Sequence, residues 1–334
     1  MKASTAMIII AIAIVACQLG QVVIEPVAFA LFMIAIIRPI QVKLERKIPK
    51  SAALVITIIL TSGIIVALFS LIAWSGHDVA EWTRKNSSKI QDVFRSWTIW
   101  LEAHDIFVLA LVSEQVNASS LLNIIQAVIS RVNTTLGFTL LVLIYVIMGL
   151  AEAEYFEKKL TSLPYKETAQ RVIFAAKRIS HKFQKYILFR TIASVATGIA
   201  VWLLALTIGL ELASAWGLLA YALNYLPLIG PLVATALPTL CAVVQFGDTN
   251  SIMTIFIGLI AIQFIIGNYL EPVMSGSTLS IAPSVVIFVT VFWTFMWGAL
   301  GAFLGVPIAI AALTMCEQFP STRWISAILA AEPT

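Results

Sequence analysis

Charge is what this sequence has least of. Only 11% of its 334 residues are Asp, Glu, Lys or Arg, while 60% are hydrophobic; a soluble domain carries about 25% charged residues. A water-facing surface cannot be built from so few charges. A chain whose main solvent is lipid avoids them, because a charge at the bilayer centre costs roughly 2.5–3.5 kcal/mol on the mildest scale. The net charge of +4 is therefore no sign of nucleic-acid binding, since the basic residues gather at junctions between apolar runs.

Other scarcities remove whole classes of chemistry. The three cysteines, Cys17, Cys241 and Cys316, form no CxxC pair, which excludes the usual metal and redox spacings. They read as small apolar side chains. The three histidines, His77, His104 and His181, all lie in polar segments outside the apolar runs. Met274-Ser275-Gly276-Ser277 resembles a serine-nucleophile turn, but no span holds a histidine or lysine to activate it. There is no phosphate-binding loop, so no nucleotide-driven chemistry is read in this chain. No enzyme activity, cofactor or metal is expected.

Long hydrophobic runs are what the chain does have. They cover about 3–37, 51–75, 134–151, 187–210, 212–246, 251–270 and 281–316, and a span needs about 20 residues. The run 3–37 is interrupted by Gln18, Gly20, Gln21, Glu25 and Pro26. It reads as a hairpin of two short spans, with one long kinked helix as the alternative. Lys2 and the box Ile14-Val15-Ala16-Cys17 also fit a cleaved leader. The second apolar stretch that follows at once favours an ordinary first span. Counting 3–37 as two and the others as one gives about eight spans. The expected fold is all-α: a polytopic integral membrane protein with about eight transmembrane helices, broken or re-entrant segments, and amphipathic helices on both membrane faces.

Lys and Arg set the orientation. The loop 38–50 carries five basic residues against Glu45, and 152–190 carries nine against four acids; both should be cytoplasmic. The intervening 76–133 has five basic residues and six acids and can lie outside. It is patterned, with Ile90, Phe94, Trp97 and Leu101, then Leu121, Ile125, Val128 and Val132, at helical spacing. Val172, Ala176, Ile179, Phe183 and Tyr186 form a further stripe among basic residues, which predicts a helix lying along the anionic inner leaflet. The organisation expected is N-terminal spans over 1–75, an extracytoplasmic amphipathic segment over 76–133, and a span plus a basic cytoplasmic helix over 134–190. C-terminal spans with the transport site follow over 191–316, then a cytoplasmic tail over 317–334. Both termini are expected in the cytoplasm.

From Leu212 through Cys316 the only charges are Asp248 and Glu271. Asp248 sits in a polar turn and reads as a solvated loop acid. Glu271 sits between two apolar runs, where an ionisable group is a functional candidate. Two stretches echo each other at an offset of 44 residues: Asn224-Tyr225-Leu226-Pro227 with Gly230, and Asn268-Tyr269-Leu270-Glu271-Pro272 with Gly276. Pro removes a backbone donor and Gly permits left-handed backbone, so both stretches should unwind. Paired Gly/Pro-interrupted segments are the best sequence pointer to a transporter site. The bland reading is two packing kinks.

Several motifs in order along the chain carry a family likeness. They are Arg38-Pro39 with Leu44-Glu45-Arg46-Lys47-Ile48-Pro49, the stretch Ala215-Trp216-Gly217 through Leu228-Ile229-Gly230, Gly267-Asn268-Tyr269-Leu270-Glu271-Pro272, and Gly301-Ala302-Phe303-Leu304-Gly305-Val306-Pro307. On these motifs the chain resembles the autoinducer-2 exporter family of bacterial membrane transporters over nearly its whole length. The resemblance implies eight spans in the bacterial inner membrane and export of autoinducer-2 or a similar small polar solute. It also implies a homo-oligomer, with a pentameric ring as one form. Some similar proteins are sodium/proton antiporters, so a sodium or lithium/proton antiporter is the alternative, and a non-transporting scaffold a second. Relatives often carry a basic residue after the Glu-Pro pair, whereas Val273 to Pro283 has no charge here. The expected pathway residues are Asn224, Pro227, Gly230, Asn268, Glu271, Pro272 and Gly276. The two asparagines would supply amide hydrogen bonds, and Glu271 would carry a proton or sodium ion. Membrane lipids are the other partner.

Overall fold

The computed structural model describes residues 12, 14–102, 118–162, 164–270 and 281–330. Its helices are α1 (Gln21–Glu45), α2 (Lys50–Lys85), α3 (Ser87–Glu102), α4 (Ala118–Thr161), α5 (Lys166–Ile208), α6 (Ala213–Leu223), α7 (Ile229–Phe246), α8 (Thr249–Ile265), α9 (Pro283–Gln318) and α10 (Arg323–Leu329). A π-helical turn, Ile266–Leu270, extends α8. No strand occurs among the described residues. Among the described residues, seven helical segments are long and apolar enough to cross a membrane: α1, α2, residues 137–161 of α4, α5, α7, α8 with its π turn, and α9. The eleven-residue α6 is apolar but shorter.

The run 3–37 is not a hairpin in its described part. Residues 14–19 are helical, Gly20 makes a turn, and α1 follows with Pro26 inside it. The Gly20 amide still donates to Ala16 O at 2.8 Å, and Ile24 N to Gly20 O at 2.9 Å, so the breakers bend one helix rather than reversing it. Gln21 and the basic loop after Glu45 therefore lie at opposite ends of α1. The eighth apolar helix arises instead by division of 212–246 into α6 and α7.

The stripe expected to lie along the inner leaflet is part of α5, one unbroken helix of 43 residues and about 65 Å at 1.5 Å per residue. Nothing between Lys166 and Ile208 turns the chain, since no proline occurs there. Phe183 and Tyr186 are buried against α1 and α9, while Ala176 is exposed. Side chains pin the helix to α1: Ser180 Oγ donates to Ala35 O, and Gln184 Nε2 donates to Ile36 O at 2.9 Å. The lower half of α5 thus continues the span as a packed helix.

Two hairpins are built on this scaffold. At the top of α5, Gly209 caps the helix at φ 77° and Leu212 reverses the chain at φ 60°. Then α6 runs back down α5. Gly217 meets Gly198, where a Cβ on either would come within 2.9 Å of the other's carbonyl oxygen. Asn224 meets Ser194, and Tyr225 meets Thr191. After the tip α7 climbs back, and Gln245 at its far end donates to Gly209 O at 2.8 Å and accepts from Glu211 N at 2.7 Å. Both ends of this hairpin are held at the same end of α5.

The second hairpin lies within α9. Trp297 (φ −130°, ψ 15°) and Gly298 (φ 62°, ψ −138°) break the helix into α9a (283–296) and α9b (299–318). The arms fold back on each other: a Cβ at Gly301 would be driven into Trp293 O, and one at Gly305 would sit 2.9 Å from Val289 O. This hairpin opens at the other end of α5. Glu317 pairs with Lys182 at 3.3 Å and Arg178 at 3.6 Å, and Ala282 N donates to Leu329 O at 3.0 Å. The run 281–316, read as one span, is therefore two arms. The hairpins enter from opposite ends of the bundle, and Tyr225 of the first packs 6.4 Å from Phe303 of the second. Phe303 packs against Phe29 at a tilt and against Phe32 edge-to-face, both of α1, and Phe29 in turn packs on Phe138 of α4.

Candidate functional site

The tip of the first hairpin lies close to mid-depth. Lys177 pairs with Glu157 at 3.2 Å at the basic end of the bundle, and Trp82 Nε1 donates to Glu211 at the other end. From Lys177 to Ile208 is about 46 Å at 1.5 Å per residue. That matches a bilayer of about 40–45 Å with its headgroups. Arg190 is about 20 Å along this line, a little short of halfway between the two ends.

At that level a cavity of about 200 Å³ is lined by Arg190 of α5, Asn224, Pro227, Leu228 and Pro231 of the tip, and Gln263 and Gly267 of α8 and its π turn. Each element reaches it for a local reason. Pro227 and Pro231 stop the chain from continuing as one helix. Leu228 turns it at φ 66°, ψ −57°, with Ile229 N donating to Pro227 O at 2.8 Å. This is a γ-turn, a rare and strained conformation for a residue with a side chain. Gly230 lets the arms close, because a Cβ there would be driven into Leu223 O. The π turn widens α8 where Gly267 meets the cavity, as π turns often do at functional positions.

A polar seam fixes the tip to α5. Asn224, only 4% exposed, donates through Nδ2 to Ser194 Oγ at 3.2 Å. The Tyr225 hydroxyl donates to Thr191 Oγ1 at 2.9 Å, with Tyr221 OH 3.4 Å away. Arg190 is buried at 7% exposure, and an arginine at this depth is costly and a mark of function.

Of the residues expected from sequence, Asn224 and Pro227 line this cavity, and Gly230 supports the turn behind them. Asn268 does not join them: it is exposed, and its Nδ2 donates to Phe264 O of its own helix at 3.1 Å. Glu271, Pro272 and Gly276 lie outside the described residues, as does the hydroxyl-rich run 275–280. Sequence reasoning missed Arg190 and Gln263. Arg190 is the last of the basic residues in 152–190, yet it stands three residues inside the apolar run 187–210, which is the available signal. Asp248 caps α8, accepting from Ser251 N at 2.8 Å. That backbone hydrogen bond holds its carboxyl below the usual aspartate range. Among the described residues no group of three His, Cys, Asp or Glu could hold a metal.

A polar cavity partway along a helical bundle, at the tip of a hairpin, is an arrangement that fits a membrane transporter. The sequence model for AI-2E family transporters matches residues 5–321, and the chain belongs to that family. It is 26% identical over 314 residues to the AI-2 transport protein TqsA of Escherichia coli (strain K12), covering 92% of this chain and 89% of that one. A Haemophilus influenzae protein, named only provisionally as a transport protein, is 25% identical over 319 residues, covering 93% and 91%. A similarly named Borreliella burgdorferi protein is 29% identical over 201 residues, covering 59% and 56%.

Proposed function

We propose that this chain is a secondary transporter that exports a small polar solute, with autoinducer-2 as the first solute to test. The observation that carries the reading is the mid-depth cavity lined by Arg190, Asn224 and Gln263 at the tip of a re-entrant hairpin. The naming of the Escherichia coli relative as an AI-2 transport protein supports the choice of solute. The chain works in the bacterial inner membrane, with the basic loop after Glu45 and the base of the second hairpin facing the cytoplasm, as their lysines and arginines favour. A homo-oligomer is the working form.

Transport proceeds by alternating access. The two hairpins enter from opposite faces, and the tip of the first lines the cavity. Glu271 follows Gly267 by four residues and carries the proton or cation that couples export to a gradient. An exporter of this kind lowers internal autoinducer-2 when expressed in a cell that accumulates it. A sodium/proton antiporter instead rescues growth in high sodium or lithium. Coupling is tested by Glu271→Gln in proteoliposomes with and without a pH gradient. Gradient-driven transport should be lost, and unchanged coupling would remove Glu271 from the mechanism.

A further inference from the structure

We propose that the exposed stripe of α5 ends in a binding site for the phosphate group of an anionic phospholipid, formed by Lys185, His181 and Arg178. The proposal is independent of the cavity and of the solute.

The stripe itself is the first observation. Leu203, Ile199, Val195, Ile192 and Leu188 are exposed and follow one another at steps of three or four residues, so they share one face of the helix. In a membrane-spanning helix such a face meets acyl chains. The same steps continue to Lys185, His181, Arg178 and Phe174, all exposed. On one face, then, aliphatic side chains give way to three hydrogen-bond donors. Lys185 lies about 12 Å from Lys177 along the axis. Its stem stays among the chains while its ammonium reaches the headgroups, as lysines near the ends of spans do.

The second observation is charge. Arg178, Lys182 and Lys185 bring three fixed positive charges to this end of α5. Glu317 meets two of them, Lys182 at 3.3 Å and Arg178 at 3.6 Å, and Glu157 is taken by Lys177. Among the described residues, Lys185 and His181 pair with no acid. The third is the posture of Arg178. Its guanidinium lies 5.7 Å from the centre of the Phe174 ring, which holds it on the exposed face, and its five donors are more than Glu317 uses. A phosphate diester supplies the missing negative charge with oxygens that guanidinium and ammonium groups bind strongly, and its acyl chains cover the aliphatic stripe beside it. A second copy meeting α5 through the same face would bring like charges together.

The test is competition on the purified full-length protein in an uncharged detergent. Phosphatidylglycerol with a fluorescent acyl chain is displaced by unlabelled phosphatidylglycerol, by phosphatidylcholine of the same chains, or by glycerol 3-phosphate. Phosphatidylglycerol should displace the probe at a concentration at least fivefold lower than phosphatidylcholine, and glycerol 3-phosphate at matched concentration should not displace it. Lys185→Glu should weaken phosphatidylglycerol at least tenfold, and Lys185→Arg should stay within threefold of wild type. Lys166→Glu makes the same charge change about 16 Å beyond the Lys177 level and should leave competition as in wild type. Lys185→Gln should weaken phosphatidylglycerol at least threefold, and it decides the matter if Lys185→Glu does not fold. Equal competition by the two lipids, displacement by glycerol 3-phosphate as strong as by lipid, wild-type competition in the Lys185 charge variants, or an equal loss in Lys166→Glu would each overturn the proposal. Light scattering on the same preparations separates the other occupant. A smaller assembly for Lys185→Glu with unchanged lipid competition would assign this face to a second copy and overturn the lipid site.

Discussion

The Asn224 side chain donates to Ser194 Oγ across 3.2 Å, and both residues are buried. This bond joins the tip of the first hairpin to the middle of α5, one helical turn from Arg190. Hydrogen bonds between helices in a membrane are worth about 0.6 kcal/mol on average and about 1.7 at most. A double-mutant cycle of Asn224→Ala and Ser194→Ala, read by thermal unfolding in detergent, should give a coupling energy within that range. Asn224→Ala should also reduce transport more than stability, because the tip loses its register over the cavity.

The hairpins close on glycines. Gly230→Ala would push a methyl into Leu223 O, and Gly301→Ala would push one into Trp293 O. Overpacking of this kind costs about 1–3 kcal/mol or more where the backbone must move. Gly63 has open space at its Cβ position, and Gly63→Ala should stabilise by up to about 1 kcal/mol through helix propensity. Melting temperatures of the three variants should fall, fall and rise.

Leu228 holds a positive φ without being glycine. Leu228→Gly should relieve about 1–3 kcal/mol of local strain, and Leu228→Ile should add to it. If the strain serves to hold the tip in one shape, the glycine variant will be as stable as wild type or more so, yet slower in transport.

The Asp248 cap is pH-dependent. Its folded-state pKa is depressed by the Ser251 amide, so its contribution is complete above the ordinary aspartate value near 3.9 and fades as pH falls through the lower folded value. Hydrogen exchange at Ser251 N should accelerate only in that acidic window. Asp248→Asn, which keeps an acceptor without a charge, should remove the pH dependence.

The first hairpin tip could be read from sequence because Asn224 to Pro231 concentrates residues that cannot stay helical. The second tip was harder to see. Gly298 is one glycine among several in a continuous apolar run, and what makes it a reversal is the close approach of Gly301 and Gly305 to the opposite arm, which no local pattern encodes. Glutamines, a glycine and Pro26 suggested a reversal near residue 20. Pro26 lacks an amide donor and deprives only the carbonyl four residues before it of a helical partner, which bends the helix without reversing it. Arg190 was hidden by its neighbours: nine basic residues over 152–190 read as an orientation signal, and depth along α5 separates this one from the others.

The central claim is that solute passes through the cavity at the first hairpin tip. The direct test is Leu228→Cys in a protein whose Cys17, Cys241 and Cys316 have been replaced by alanine, assayed for autoinducer-2 transport in proteoliposomes before and after a small charged thiol reagent. The account predicts that the reagent abolishes transport and that solute slows the modification. Full transport after complete modification of that cysteine would contradict it.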